Sequence, residues 1–168
     1  MTIPERRDEV DDIVAAWRRE RPDLPAEPLE VLSRVKRVAQ QLDHGRRQAF
    51  AAHGLQLWEF DVLAALRRAG EPYQLSPGRL LRQTMVTSGT MTNRVDRLAA
   101  RGLVERFPDP NDRRGVLVRL TCSGRQAVDS AFEELLAAET ELIAGLPDSD
   151  RHQLAALLRP MLASFSAP

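Results

Sequence analysis

The chain has 168 residues, 43% of them hydrophobic and 29% charged, with one cysteine and a formal net charge of zero. That is long enough for a real core, too apolar for a disordered chain, and without the paired cysteines of a disulfide scaffold. No apolar run approaches the roughly twenty residues of a membrane span, and MTIPERRDEV lacks a signal peptide's apolar stretch, so a cytoplasmic protein with no membrane partner is expected.

The zero net charge hides a segregation. Residues 76–125 carry ten arginines against Asp96, Glu105, Asp109 and Asp112, a net of +6. Residues 31–75 come to +3, while residues 1–30 come to −4 and residues 126–168 to −5. A basic middle between acidic ends is the footprint of a nucleic-acid reader inside a neutral protein.

In chain order, Val10, Ile13, Val14 and Trp17 recur at helical spacing and predict a first helix over 5–20, closed by the turn-rich ERPDLPAEP. Leu29, Leu32, Val35, Val38, Leu42 and Ala49 predict a second from about Pro28 to His53. Leu57, Phe60, Leu63 and Leu66 predict a third over Gln56–Arg68, ended at Ala69-Gly70, and Tyr73–Leu75 could form a very short strand. Ser76-Pro77 is a strong start for a short helix to Gln83, with an N-cap hydroxyl followed by proline at the first helical position. After a brief turn, Thr87 or Ser88 caps a helix with one narrow apolar stripe, Met91, Val95 and Leu98, and a stop at Gly102. Two helices joined so tightly form a helix-turn-helix, whose second member enters the DNA major groove. Ser76, Thr87 and Ser88 at the helix starts, with Thr90, Asn93 and Arg97 away from the stripe, are the candidate DNA contacts. Hydroxyl, amide and guanidinium groups suit base edges and phosphates.

LVERF (103–107) and VLVRL (116–120) predict a hairpin around an arginine-bearing tip, PDPNDRRG (108–115), which makes the unit a winged helix. From Ser123 a long helix runs to the break at Gly145 and Pro147, and Asp148 or Ser149 can cap a last one. The terminal helices are too apolar for solvated arms and predict a homodimer interface, which places two recognition helices on two half-sites of a pseudo-palindromic operator. The expected fold is mainly α with a small β-hairpin wing. A single domain over 1–168 divides into a helical dimerisation region (1–53 and 122–168) and a winged-helix DNA-binding region (54–121).

EFDVLAALRRAG (59–70), GTMTNRVDRLAARGLVER (89–106) and DPNDRRGVLVRLT (109–121) resemble the MarR family of bacterial regulators over nearly the whole chain. The resemblance implies a winged helix-turn-helix dimer, here with an extra N-terminal helix. Asp112-Arg113-Arg114 stands where the family carries its Asp-x-Arg wing motif. Asp112 is therefore implied to hold the wing, and Arg114 first, Arg113 second, to enter the minor groove, whose negative potential attracts guanidinium. WRRERPDL (17–24) is similar to the family's urate-responsive branch, whose ligand set implies Trp17, Asp61, Arg94 and Arg106 as ligand-binding residues. Arginine forks and an indole wall suit a planar anion such as urate or another purine. Arg94 lies about 60° from the apolar stripe on a helical wheel, so it can face the body while Asn93 and Arg97 face DNA. Alternatives are a relative answering to citrate or trans-aconitate, a DNA-binding module without a small ligand, and a winged-helix dimerisation domain serving a partner enzyme.

Catalysis has no foothold. There is no phosphate-cradling glycine loop and no GxSxG elbow, and His44, His53 and His152 have no metal-ligand spacing. Neither a metal nor a cofactor is expected, and Cys122 is read as a bystander thiol.

Overall fold

The computed structural model describes residues 7–84, 86–110 and 112–164, and only the backbone of Arg113 and Arg114. Seven helices and three strands are seen among them, and the chain forms two compact units, 1–45 and 46–168.

In the first unit, α1 (Glu9–Glu20) starts later than its periodicity predicts. Asp8 terminates it: its carboxylate accepts from the amides of Val10 and Asp11, and Asp11 returns a bond to the amide of Asp8. This reciprocal capping box satisfies donors that a helix start leaves orphaned. Val10 and Val14 are buried with Ala26, and the partly buried Leu29 packs against them. Arg34, on α2 (Glu27–Ala52), reaches Asp8 at 2.8 Å and Asp11 at 2.7 Å. The Arg34 hydrogen bond, with the two capped amides, pulls the Asp8 carboxyl down to about 2. Val31, Leu32, Val35 and Val38 of α2 are all exposed, as are Trp17 and Leu24.

In the second unit, α3 (Leu57–Arg68) is the central element, with Val62 to Leu66 all buried. It begins where expected, with Gln56 as N-cap, and the ring of its Phe60 stacks on Phe50 at 4.0 Å. The expected short strand is β1 (Gln74–Leu75), and α4 (Pro77–Thr84) and α5 (Ser88–Ala100) follow as predicted. Leu80 of α4 and Met91, Val95 and Leu98 of α5 are buried in the same core as α3.

The wing differs from its prediction. β2 (Val104–Asp109) and β3 (Asp112–Leu120) are antiparallel and pair as far as Asp109 with Asp112, with an irregularity between Pro108 and Asp109. The residues 108–115 expected as a loop are therefore mostly strand, and Arg113 and Arg114 stand in β3 beside the turn rather than on a loop. Gly115 supplies part of the reason, because it lets the strands approach. A Cβ there would lie 2.8 Å from that of Asp109 and 2.9 Å from that of Asp112. β1 adds to the other edge of β3, giving the order β1-β3-β2.

α6 (Cys122–Leu142) is capped by Thr121, and α7 (Asp148–Ala163) follows Pro147. Neither Asp148 nor Ser149 caps α7 as anticipated. Pro147 takes the N-cap position, and the two polar residues fall inside the first turn. The apolar residues along α6 and its C-cap divide: Leu135 is buried, whereas Phe132, Leu136, Leu142 and Ile143 are exposed. α7 has no buried residue at all. No helix among the described residues is long and apolar enough to cross a membrane.

Candidate nucleic-acid interface and effector residues

α4 and α5 form the helix-turn-helix. Ser76 starts α4, its hydroxyl accepting from the amide of Arg79 at 3.4 Å and its carbonyl from the amides of Arg79 and Leu80. Thr87 is the N-cap of α5, but its hydroxyl makes no capping bond and lies instead 2.9 Å from that of Thr90. The amides opening α5 thus take no side-chain cap from Thr87, which suits a helix end meeting a phosphate.

Along α5 the buried stripe leaves Thr87, Ser88, Thr90, Asn93 and Arg97 exposed, and Arg94 half-buried. Thr90, Asn93 and Arg97 follow one another at spacings of three and four, so they share a face. Gly89, Thr90, Asn93, Arg94 and Arg97 line an open cleft of about 450 Å³ whose remaining wall is Trp58 of α3. A concave, cationic, hydrogen-bonding surface on a recognition helix is the chemistry that reads a major groove. The side chains of Arg113 and Arg114 lie outside the described residues, so the wing's place in this surface rests on the sequence motif.

Trp58 is the residue that sequence reasoning missed. The guanidinium of Arg97 lies over its ring at 4.8 Å from the centroid and that of Arg94 at 5.5 Å. Its indole N–H donates to Oε1 of Gln56 at 2.5 Å, which fixes the ring's orientation. One turn along α3 stands Asp61, an exposed carboxylate. Partial desolvation nevertheless pushes it above its ordinary value of 3.8, against the pull of Arg94, Arg46 and Arg68. Asp61 and Arg94, two of the four expected ligand residues, are thus electrostatic neighbours.

Arg106 of β2 forms a 2.7 Å ion pair with Asp96. Asp96 follows Arg94 by two positions, hence about 200° around the helix, so Arg106 serves the opposite side of α5. Trp17 belongs to the first unit, where it is 51% exposed and borders an apolar hollow of about 400 Å³ with Leu24, Pro28 and Leu29. The guanidinium at that rim, Arg21, is held by both oxygens of Asp23.

The C-terminal end of α5 is anchored from below. Arg101 donates to Oε2 of Glu59 at 2.7 Å and to the carbonyl of Gly54 at 2.9 Å. Glu59 is the one buried charged residue of the described chain, and the same oxygen accepts from the amide of Gln56 at 2.9 Å. Among the described residues no group of acids, histidines and cysteine is placed to hold a metal, and Cys122 is exposed.

Comparison with known proteins agrees with this surface. A family model described as MarR family matches residues 53–115, the stretch from before α3 into the wing. The regulator PecS of Dickeya dadantii is 38% identical over 150 residues, 89% of this chain and 90% of its own. A mutant of MarR from E. coli complexed with operator DNA superposes with a TM-score of 0.70 at 29% identity, over 81% of this chain and 96% of that one. Bordetella bronchiseptica BpsR, whose DNA binding is regulated by 6-hydroxynicotinic acid, superposes at 0.65 with 30% identity, over 79% of this chain and 98% of that one.

Proposed function

The chain belongs to the MarR family and is a DNA-binding transcriptional regulator, not an enzyme, and from that premise we propose that it is a homodimeric repressor released from a palindromic operator by urate or a related purine. The observation that carries the effector reading is the charge cluster at Asp61. Three guanidiniums, those of Arg46, Arg68 and Arg94, act on one partly desolvated carboxylate; Arg46 is itself held by Glu139 at 2.7 Å, and the remaining two against Asp61 leave positive charge that suits a further anion. An incoming planar anion competes with Asp61 for Arg94, and Arg94 belongs to the recognition helix. Anion binding therefore pulls on α5 from behind while Thr90, Asn93 and Arg97 face DNA. Such coupling typically amounts to about 1–3 kcal/mol, roughly 5- to 150-fold in DNA affinity. The family resemblance adds Trp17 and Arg106 to the ligand set, and Arg113 and Arg114 to the DNA contacts.

The dimer reading is supported by apolar surface that the protomer leaves uncovered. Leu154 and Leu157 of α7 and Phe132 and Leu136 of α6 are each 45% exposed or more. Exposed apolar side chains spaced along helices are what an obligate interface buries. The dimerisation region proposed from the sequence, 1–53 with 122–168, includes all of them.

The decisive experiment is a thermal-shift screen of urate, xanthine, citrate and trans-aconitate, since a ligand of the folded state raises its melting point. Urate or xanthine should raise Tm and release operator DNA. Trp17→Ala should abolish the urate shift yet retain operator binding. A shift with citrate or trans-aconitate alone would transfer the effector to that class, and undiminished urate binding by Trp17→Ala, measured calorimetrically, would remove Trp17 from the site.

A further inference from the structure

Arg94 and Arg97 of α5 and Arg101 at its C-cap fall on one helical stripe, and each meets the N-terminal part of α3. Arg101 is bound by Glu59, Arg94 acts on Asp61, and both Arg94 and Arg97 lie over Trp58. One aromatic ring is therefore shared between the arginine that faces the carboxylate cluster and the arginine on the DNA-reading face. The ring itself is immobilised by its hydrogen bond to Gln56 and forms a wall of the cleft that Thr90, Asn93 and Arg97 line.

We infer that Trp58 is a positioning residue for DNA reading: its ring holds the Arg97 guanidinium, through a cation–π contact, in the orientation from which Arg97 engages the major groove. An arginine loses rotamer entropy on binding, and a partner that restricts it beforehand spares part of that loss at the moment of docking. Arg94 lies over the same ring at 5.5 Å, so the two guanidiniums share one π face and a shift of Arg94 alters the surroundings of Arg97. The inference rests on the reading that Arg97 contacts DNA, and the test separates the two.

Affinities for an operator selected from random duplexes by the wild-type protein, and for a scrambled duplex, are compared across Trp58→Leu, Trp58→Phe, Arg97→Ala and the double variant Trp58→Leu/Arg97→Ala. Trp58→Leu keeps apolar bulk and removes the π face. It should weaken operator binding about two- to fivefold, the range for an exposed cation–π contact, and scrambled binding less. Trp58→Phe, which restores an aromatic face, should recover most of the loss, and Trp58→Leu should add nothing in the Arg97→Ala background. In a Trp17→Phe background Trp58 is the sole indole, and its emission should change on Arg97→Ala. Equal losses on both duplexes, additivity with Arg97→Ala, or emission indifferent to Arg97 would each overturn the positioning role while leaving Arg97 as a DNA contact. Unchanged operator affinity of Arg97→Ala would instead remove Arg97 from the interface, and the inference with it.

Discussion

Glu59 offers the sharpest check on how the recognition helix is held. It is 2% exposed, and a single oxygen accepts both the Arg101 guanidinium and the amide of Gln56. Glu59→Ala removes a charge-assisted hydrogen bond, worth about 1.5–3 kcal/mol, and an N-terminal capping bond worth about 1 kcal/mol. Two circumstances reduce the total. The Arg101 side chain is 42% exposed, so its charge can turn to water when its partner is lost, and it keeps the carbonyl of Gly54. About 2 kcal/mol is therefore expected, or roughly 4–8 °C in Tm for a chain of this size. Glu59→Gln retains an acceptor for the Gln56 amide and should cost about half as much. Urea unfolding is the assay, with the midpoint moving at constant slope. Operator affinity should fall at temperatures where both variants are fully folded, because the C-terminal end of α5 has lost its anchor. A loss below about 0.5 kcal/mol for Glu59→Ala, with unaltered operator affinity, would refute the reasoning.

Asn93→Ala should weaken operator binding by about 1–3 kcal/mol and scrambled-duplex binding far less, as measured by competition; equal losses would end its base-reading role. Arg114→Ala should reduce the slope of log affinity against log salt by about one, and an unchanged slope would place the wing away from DNA. Asp61→Asn tests the desolvated carboxylate through the pH dependence of stability. The folded pKa of Asp61 lies above its ordinary value of 3.8, so the folded state holds that proton more tightly than the unfolded chain. Ionised Asp61 thus costs stability at neutral pH, and the cost is relieved as pH falls through the folded pKa. Asp61→Asn should be at least as stable as wild type at pH 7, with its advantage shrinking as pH falls through the folded pKa towards 3.8 and lost below that, in paired urea titrations. An advantage that grows on acidification would contradict the assignment.

Much of this fold is legible because local chemistry and tertiary fate coincide. Met91, Val95 and Leu98 repeat at helical spacing and are buried, and Ser76-Pro77 begins a helix because hydroxyl and imino ring are both suited to that position. The errors arise where a signal is cooperative. Residues 108–115 carry turn-forming proline, asparagine and glycine, but pairing across β2 and β3 recruits most of them into strand. In α2 the apolar residues Val31, Leu32, Val35 and Val38 are periodic yet exposed, because periodicity marks a face to be covered and not what covers it. In the site, Arg94 is legible from its angular position on the wheel. Trp58 is not, since its partners lie some forty residues away on another helix. Its available signal was a large aromatic beside Glu59 and Asp61 on α3, matched by arginines at 94, 97 and 101. Arg106 shows the converse: a motif supplies the residue, and only the fold pairs it with Asp96.

The root of the wing carries a mechanical consequence. Gly124, in the first turn of α6, sits so close to the start of β2 that a Cβ would fall 1.9 Å from the carbonyl oxygen of Leu103. Thr121 ties the same junction, its amide bonded to that carbonyl and its hydroxyl to the carbonyl of Gly102. Backbone against backbone, with no side chain between, is a weld and not a hinge. α6 and the wing therefore turn as one rigid crank, and the six residues of β2 give it an arm of about 20 Å. A rotation of about 5° at the root carries the far end through roughly 2 Å, more than half a hydrogen-bond length. In the proposed homodimer, a change in how two copies of α6 lie against each other would thereby be geared up at the tip of the wing.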